Sequence, residues 1–166
     1  MNEGIIQIYY GEGHGKSTAA IGNAIRCASE GKSVIIIQFL KGKNENELAF
    51  LNRLEPEIKI FRFAKSDESF EELSEQEQQE EAMNLRNGFN YGKKVVTTAA
   101  CDMVILDEVL GVIDEKVVAP QEMQELFENK PDDMTLICTG RVLEDSIRPY
   151  ADEIYNIAPE KIRIDE

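Results

Sequence analysis

The sequence predicts an α/β fold, a three-layer sandwich with a mainly parallel central sheet. Short apolar runs rich in β-branched residues recur along the 166-residue chain, and such runs are typical of strands buried on both faces. Stretches with helical spacing of apolar residues separate these runs, which places a helix between successive parallel strands. Because the chain has no internal repeat and no linker-like stretch, we expect a single domain over residues 1–166.

The first strand and the first helix flank a glycine-rich loop. The strand is predicted over residues 5–10 (IIQIYY), the loop reads GEGHGKST over residues 11–18, and the helix runs over residues 17–29. Strand, glycine loop, Lys-Ser and helix follow one another as in a phosphate-binding P-loop, so the fold is predicted to be P-loop NTPase-like. An ordinary glycine-rich turn is the alternative, since the usual pattern has a glycine where this chain has Tyr10.

Each residue type in the loop has a chemical reason. Glycines permit positive φ and let backbone N–H groups approach an anion, and a helix N-terminus adds free donors and partial positive charge. Lys16 would neutralise phosphate charge, and the Ser17 hydroxyl would ligate Mg²⁺. We therefore expect the phosphates of a nucleotide to contact the loop residues, namely Gly11, Glu12, Gly13, His14, Gly15, Lys16, Ser17 and Thr18.

The second predicted strand, over residues 33–40, is followed by a segment with two lysines. Ligands of open α/β sheets bind beyond the carboxyl ends of strands, so Lys41 is a candidate contact for an anion. A solvated loop lysine is the alternative. A helix is predicted over residues 44–54, and residues 58–63 alternate apolar and basic side chains, as a strand near a sheet edge does.

A long helix is expected to begin at Ser74, because Glu77 follows three residues later and completes a capping box. The helix is expected to run to about Ala100, or to break near Gly88 or Gly92. The acids of its first turns are expected to form a solvated face without a chemical role; they are Glu75, Glu77, Glu80 and Glu81.

A pair of acids after a buried strand is the second chemical signal. Residues 102–108 read DMVILDE and resemble a Walker B strand. An acid at the end of a buried strand next to the P-loop can hold Mg²⁺ directly or through water. Adjacent side chains on a strand point to opposite faces, so Asp107 and Glu108 should have different roles. One would reach the metal, and the other would fix a neighbouring group.

Two residues in the rest of the chain carry two interpretations each. Phe70 is either a hydrophobic staple on the long helix or part of a ligand lid. Arg141 follows a buried strand predicted over residues 134–139, where it contacts phosphate or ribose, or else pairs with a surface acid. The remaining predicted elements are helices over residues 120–129 and 143–150 and a strand over residues 153–157.

Composition limits the classes of function. The formal net charge of −14 argues against a nucleic-acid-binding surface, which would need a basic patch. An apolar run of 18 residues is missing from the sequence, so no membrane span is expected, and a signal peptide is not expected either. Cys27, Cys101 and Cys138 are far apart and form no metal-binding pattern. Reduced thiols in a cytoplasmic protein are the expectation.

Four segments together resemble one family. GEGHGKSTAAIGNAIR, VIIIQFLKGK, DMVILDEVLG and TGR occur in the order seen in corrinoid adenosyltransferases of the BtuR/CobA type, and the resemblance covers roughly residues 4–156. It implies a P-loop α/β fold and transfer of the 5′-deoxyadenosyl group of ATP to the cobalt of a reduced corrinoid, with release of triphosphate. It further implies Mg²⁺ or Mn²⁺, a flavoprotein reductant and a homodimer.

The resemblance also implies roles for particular residues. Lys16 and Glu108 would be catalytic, and Ser17 would hold the metal together with Glu108, with Asp107 as the second acid. Family members often carry lysine where this loop has His14. The residues implied for the substrates are Lys41 and Arg141 for the nucleotide, and Phe63 and Phe70, in the FRF…SFEELSEQE segment, for the corrinoid.

Two other classes of function fit the same residues. A P-loop phosphotransferase or NTPase acting on another small molecule would release ADP plus phosphate instead of triphosphate. A nucleotide-binding partner protein would bind ATP without turnover.

Overall fold

The central sheet has the predicted parallel architecture. A computed structural model describes residues 3–40 and 49–164 of the chain. Its strands are β1 (Ile6–Tyr10), β2 (Val34–Gln38), β3 (Ile58–Arg62), β4 (Met103–Asp107), β5 (Thr135–Gly140) and β6 (Glu153–Asn156). They form one six-stranded sheet in the order β3-β2-β4-β5-β1-β6, and every pair of neighbours is parallel. The predicted α/β class is confirmed, and β3 lies at a sheet edge as expected.

Helices cover both faces of the sheet. They are α1 (Lys16–Ser29), α2 (Glu75–Thr97), α3 (Val109–Asp114) and α4 (Pro120–Glu128), with 3-10 turns at Asn52–Leu54, Phe70–Glu72 and Asp145–Tyr150. Ala20 and Ala24 of α1 pack on one face, in a core that includes Ile36 and Ile105. Helices α2, α3 and α4 pack on the other face, in a second core built around residues such as Leu106. Two cores on either side of one sheet give the predicted three-layer sandwich.

The strand register places the glycine loop and the two acids at the same edge of the sheet. Tyr10 of β1 is level with Gly140 of β5, and Gln38 of β2 is level with Asp107 of β4. Because the strands are parallel, the segments that follow them all leave the sheet at its carboxyl edge. β5 lies between β1 and β4, so the acid-bearing strand is not the direct neighbour of the strand that precedes the glycine loop.

Helix α2 begins as predicted but does not break at its glycines. Ser74 and Glu77 form the expected capping box, and the helix ends at Thr97, a few residues before the predicted end. A Cβ atom on Gly88 would lie 3.0 Å from the Phe63 ring, and one on Gly92 would lie 3.3 Å from a Leu106 methyl group. These glycines therefore let the helix approach the sheet closely.

The acidic face of α2 is solvated only in part. Glu81 is 6% exposed, because its carboxylate turns inward and accepts the backbone N–H groups of Lys65 and Ser66, each at 2.9 Å. The expectation of a solvated face is wrong for this residue. Glu81 precedes Leu85 by four residues, so it belongs to the buried stripe of the helix.

Other differences concern short elements. Helix α3 was not predicted from the sequence, because its six residues are nearly all apolar and show no helical periodicity. The helix predicted over residues 143–150 is a 3-10 turn with Pro149 inside it. The helix predicted over residues 44–54 lies partly outside the described residues, which there include only its end and the turn Asn52–Leu54. No helix among residues 3–40 and 49–164 is long and apolar enough to cross a membrane.

Candidate functional site

The glycine loop ends at a helix N-terminus with free donors. Gly15, with φ of 105°, is the residue before α1, and its carbonyl accepts the N–H of Ala19 at 2.8 Å. The N–H groups of residues 16–18 precede this first helical hydrogen bond, so they point out of the helix end. Such an end, with its partial positive charge, is suited to bind an anion. Glu12, His14 and Thr18 are exposed at the loop surface.

Two glycines of the loop pack it against neighbouring segments. The Gly11 N–H donates to the carbonyls of Gly140 and Arg141 at 3.2 and 3.1 Å, and the Gly13 N–H donates to the carbonyl of Ile157 at 2.8 Å. A Cβ atom on Gly13 would lie 2.7 Å from the Ile157 oxygen. In this conformation the Gly11 and Gly13 amides are therefore bonded within the protein.

Lys16 lies over the loop. Its Nζ donates to the carbonyls of Gly11 and Gly13, both at 2.7 Å. These two hydrogen bonds place the ammonium group inside the concave side of the glycine turn. The same lysine lines a cavity of about 250 Å³, together with Glu108 and Arg141.

Ser17 meets the first of the two acids. Asp107 is 2% exposed, and its Oδ1 accepts hydrogen bonds from the hydroxyls of Ser17 and Thr139, each at 2.8 Å. Thr139 is fully buried and in turn accepts the N–H of Glu108 at 2.9 Å. Thr139 was not predicted as a site residue, because its contact with Asp107 depends on β5 lying beside β4.

The backbone conformation and the surroundings of Glu108 differ from those of Asp107. The Glu108 backbone is left-handed, with φ of 67°, and its side chain lines the cavity beside Lys16. The two acids therefore face different surroundings. Strand alternation is not the reason, because β4 ends at Asp107 and Glu108 lies at the left-handed turn before α3.

The residues at this edge fit a hard cation. No group of three or more His, Cys, Asp or Glu side chains in the described parts of the chain is arranged to hold a metal ion. In nucleotide sites Mg²⁺ takes one or two carboxylates and completes its shell with phosphate oxygens and water. The hydroxyl of Ser17 beside the carboxylate of Asp107 is a suitable oxygen pair for such a site.

Arg141 lies at the edge of the glycine loop. Its Nε lies 3.7 Å from a carboxylate oxygen of Glu12, and both side chains are well exposed. One of the two interpretations of Arg141 was an ion pair with a surface acid. The acid that it faces, Glu12, is itself a residue of the glycine loop. Lys41 lies outside the described residues.

A larger cavity of about 390 Å³ adjoins the smaller one, and residues of the segment 64–71 form much of its lining. The two cavities share Leu40, Glu71, Glu115 and Arg141. Phe70 lines the larger cavity and also packs on the core beneath it. Phe63 lies behind this wall, with its ring 5.8 Å from the Tyr91 ring.

Acidic side chains crowd the boundary between the cavities. Burial, followed by the nearby carboxylates of Glu71 and Asp114, raises the pKa of Glu115 above its ordinary value. A cation or a hydrogen-bond donor placed here would relieve that repulsion.

A glycine loop at the head of α1, at the carboxyl edge of a parallel sheet, defines a P-loop α/β nucleotide-binding protein. The profile of the family described as ATP:corrinoid adenosyltransferase BtuR/CobO/CobP matches residues 2–166. The chain belongs to this family, whose members are transferases. The family predicted from the sequence segments is therefore confirmed.

Relatives and a solved structure agree with this assignment. The corrinoid adenosyltransferase of Escherichia coli (strain K12) is 30% identical over 162 residues, which cover 98% of this chain and 80% of the relative. Corrinoid adenosyltransferase CobA of Salmonella typhimurium (strain LT2) matches with the same identity and coverage. A crystal structure of a KaiC-like protein from Pyrococcus horikoshii OT3 superposes with a TM-score of 0.61 over 99% of this chain and 76% of its own, at 15% identity, and supports the fold alone.

Proposed function

We propose that the chain transfers the 5′-deoxyadenosyl group of ATP to Co(I) of a corrinoid and releases triphosphate. Membership of the ATP:corrinoid adenosyltransferase family supports this proposal. The observation that carries it is the glycine loop, with Lys16 and the Ser17–Asp107 pair, beside the two adjoining cavities. One substrate would lie on the loop, and the other would lie against the segment 64–71.

The reaction needs no base from the protein. The reduced corrinoid supplies the electron pair, a cobalt–carbon bond forms at C5′, and the bond between C5′ and the triphosphate oxygen breaks. The triphosphate leaves with the electron pair of that bond. What remains for the chain is to align the two substrates, exclude water and stabilise the charge of the leaving group.

Positive groups at the head of α1 would bind that leaving group. The N–H groups of residues 16–18 and the Lys16 ammonium are the donors, and Arg141 would reach the nucleotide from the rim. Lys41 and His14 stay predicted nucleotide contacts. To bind phosphate, the Lys16 ammonium must exchange its two carbonyl partners for phosphate oxygens.

Mg²⁺, or Mn²⁺ in its place, would neutralise phosphate charge when it is bound. We propose that Ser17 and Asp107 hold it, because their oxygens are already in contact. Glu108, which the family resemblance suggested for the metal, is the second candidate, since its side chain lines the cavity beside Lys16.

The corrin would lie against the segment 64–71. Phe70 offers an apolar surface in the larger cavity. Phe63 would support this wall from behind, through its packing on Gly88 and Tyr91. An apolar wall that excludes water and a lower axial ligand would favour four-coordinate cobalt.

Several wider features belong to the same proposal. A homodimer is supported by exposed apolar side chains near the end of the chain, where Ile162 and Ile164 are 64% and 86% exposed. Three free cysteines support a reducing, cytoplasmic setting. A single domain is supported by one sheet that takes strands from residues 6–156. A flavoprotein reductant would supply the electrons for Co(I).

Anaerobic incubation of the chain with ATP, Mg²⁺ and chemically reduced cobalamin tests the proposal. We expect the visible spectrum to change to that of an alkylated corrinoid, with one triphosphate released per corrinoid converted. Release of ADP or phosphate without a spectral change would favour the phosphotransferase or NTPase class. Binding of ATP by calorimetry without any product would favour the partner protein.

A further inference from the structure

A buried carboxylate holds the segment that lines the larger cavity and also contributes to the lining of that cavity itself. Glu81 of α2 is 6% exposed, and its two oxygens accept the backbone N–H groups of Lys65 and Ser66, each at 2.9 Å. Charged acceptors form stronger hydrogen bonds than neutral ones, so this pair of bonds fixes the path of the chain after β3.

A second side chain of the same helix face holds the far end of the segment. Gln78 precedes Glu81 by three residues, so the two lie side by side on α2. The Gln78 amide donates to the carbonyl of Phe70 at 2.9 Å. Between the two attachment points, residues 67–69 are exposed, and the Glu68 N–H donates to the Ser66 hydroxyl at 3.2 Å. Glu81 and Gln78 thus attach both ends of this cavity wall to α2.

The glycine loop is held by different groups. Its amides donate to the carbonyls of Gly140, Arg141 and Ile157, whereas the hydrogen bonds of Glu81 end on residues 65 and 66. Loss of the Glu81 bonds should consequently change the cavity wall and leave the loop in place.

We propose that Glu81 is a positioning residue for the corrin substrate. It keeps residues 65–70 in the shape that forms one wall of the corrin site, with Gln78 as its helper, and it has no direct part in ATP binding. This inference rests on the proposed function, because it takes the larger cavity as the place of the corrin.

The variant Glu81→Gln tests the proposal. The glutamine keeps the size of the side chain but presents an NH₂ group to one of the two backbone N–H donors. We expect kcat/KM for reduced cobalamin to fall about tenfold or more, the effect of losing a hydrogen bond to a charged group. The KM for ATP should change by less than about twofold. Glu80→Gln, an exposed position on the same helix, is the matched control and should behave as the wild type.

Equal losses toward ATP and corrin, or no loss toward corrin, would overturn the proposal. Gln78→Ala, at a half-buried position, provides a second test should Glu81→Gln fail to fold. It should lower kcat/KM for corrin in the same direction by a smaller factor, and an unchanged value would again overturn the proposal.

Amide hydrogen exchange separates this inference from the proposed function. Exchange at residues 65 and 66 should become faster in Glu81→Gln and stay as in the wild type in Glu80→Gln. Unchanged exchange in an active enzyme overturns the positioning role alone. A wild-type chain that forms no adenosylated corrinoid overturns the proposed function together with the role of Glu81 toward corrin.

Discussion

At the scale of single residues, Lys16 carries the charge on which phosphate binding depends. Its ammonium is held by two loop carbonyls at 2.7 Å, so it is already in place where a phosphate would enter. We predict that Lys16→Ala lowers kcat/KM for ATP by a factor on the order of 100 or more, because a charge-assisted contact to the leaving group is lost. Steady-state kinetics measure the effect. Lys93→Ala, an exposed lysine of α2, is the control, and both variants should keep the wild-type melting temperature.

Asp107 and Glu108 allow a direct comparison of two adjacent acids. Because Asp107 contacts Ser17 and Glu108 faces the cavity, we predict that Asp107→Asn raises the Mg²⁺ concentration needed for half-maximal activity about tenfold or more. Glu108→Gln should lower kcat with a smaller change in Mg²⁺ requirement. Titration of activity with Mg²⁺ in both variants measures the two requirements. A larger rise in the Mg²⁺ requirement for Glu108→Gln than for Asp107→Asn would assign the metal to Glu108.

The buried thiols make stability depend on alkaline pH. Burial raises the pKa of Cys101 from its ordinary value of 9.0 to about 11. Between these values the unfolded chain loses the thiol proton while the folded chain keeps it, so the free energy of unfolding should fall as pH rises through this window. The expected slope is about 1.4 kcal/mol per pH unit for this thiol. Urea unfolding between pH 9 and 11 should show a shallower slope for Cys101→Ala, and identical slopes would contradict the assignment.

At the scale of elements, two helical glycines should respond oppositely to the same substitution. A Cβ atom on Gly88 would press on the Phe63 ring at 3.0 Å, whereas one on Gly22 of α1 would meet nothing within 4 Å. We predict that Gly88→Ala destabilises the fold by about 1–3 kcal/mol through overpacking. Gly22→Ala should stabilise it by about 0.5–1 kcal/mol through helix propensity. Chemical denaturation of the pair measures both signs, and a stabilised Gly88→Ala would refute the close-packing role.

Elements with a strong local signal could be predicted from the sequence. The start of α2 was predictable because Ser74 and Glu77 satisfy each other's backbone within one turn. Helix α3 was not, since an apolar run of six residues has no periodicity that separates helix from strand. Glu81 was misjudged because its partners, the amides of residues 65 and 66, come from another part of the chain.

For the molecule as a whole, the sequence predicted which segments lie at the carboxyl edge of the sheet, but it did not predict the order of the strands. That order places β5 between β1 and β4, so Thr139 enters the site beside Asp107 and Glu108. The glycine loop, Lys16 and the two acids were predictable because their motifs are local. Thr139 and the Arg141–Glu12 contact depend on strand order, which local motifs do not record.

Because the molecule carries a negative net charge, only groups close to the anion site can favour anion binding. A chain with a formal charge of −14 repels ATP at long range, so binding must come from short-range donors. Those donors are the N–H groups at the head of α1 and the Lys16 ammonium. At physiological ionic strength the screening length is about 8 Å, which confines the repulsion to the neighbourhood of the surface.

Phosphate binding at the head of α1 can be observed in a crystal structure of the chain with Mg²⁺ and a non-hydrolysable ATP analogue. We expect the phosphates to contact the N–H groups of residues 16–18, and Lys16 Nζ to leave the carbonyls of Gly11 and Gly13 to contact them. Phosphates bound elsewhere, with Lys16 still bonded to both carbonyls, would contradict this expectation.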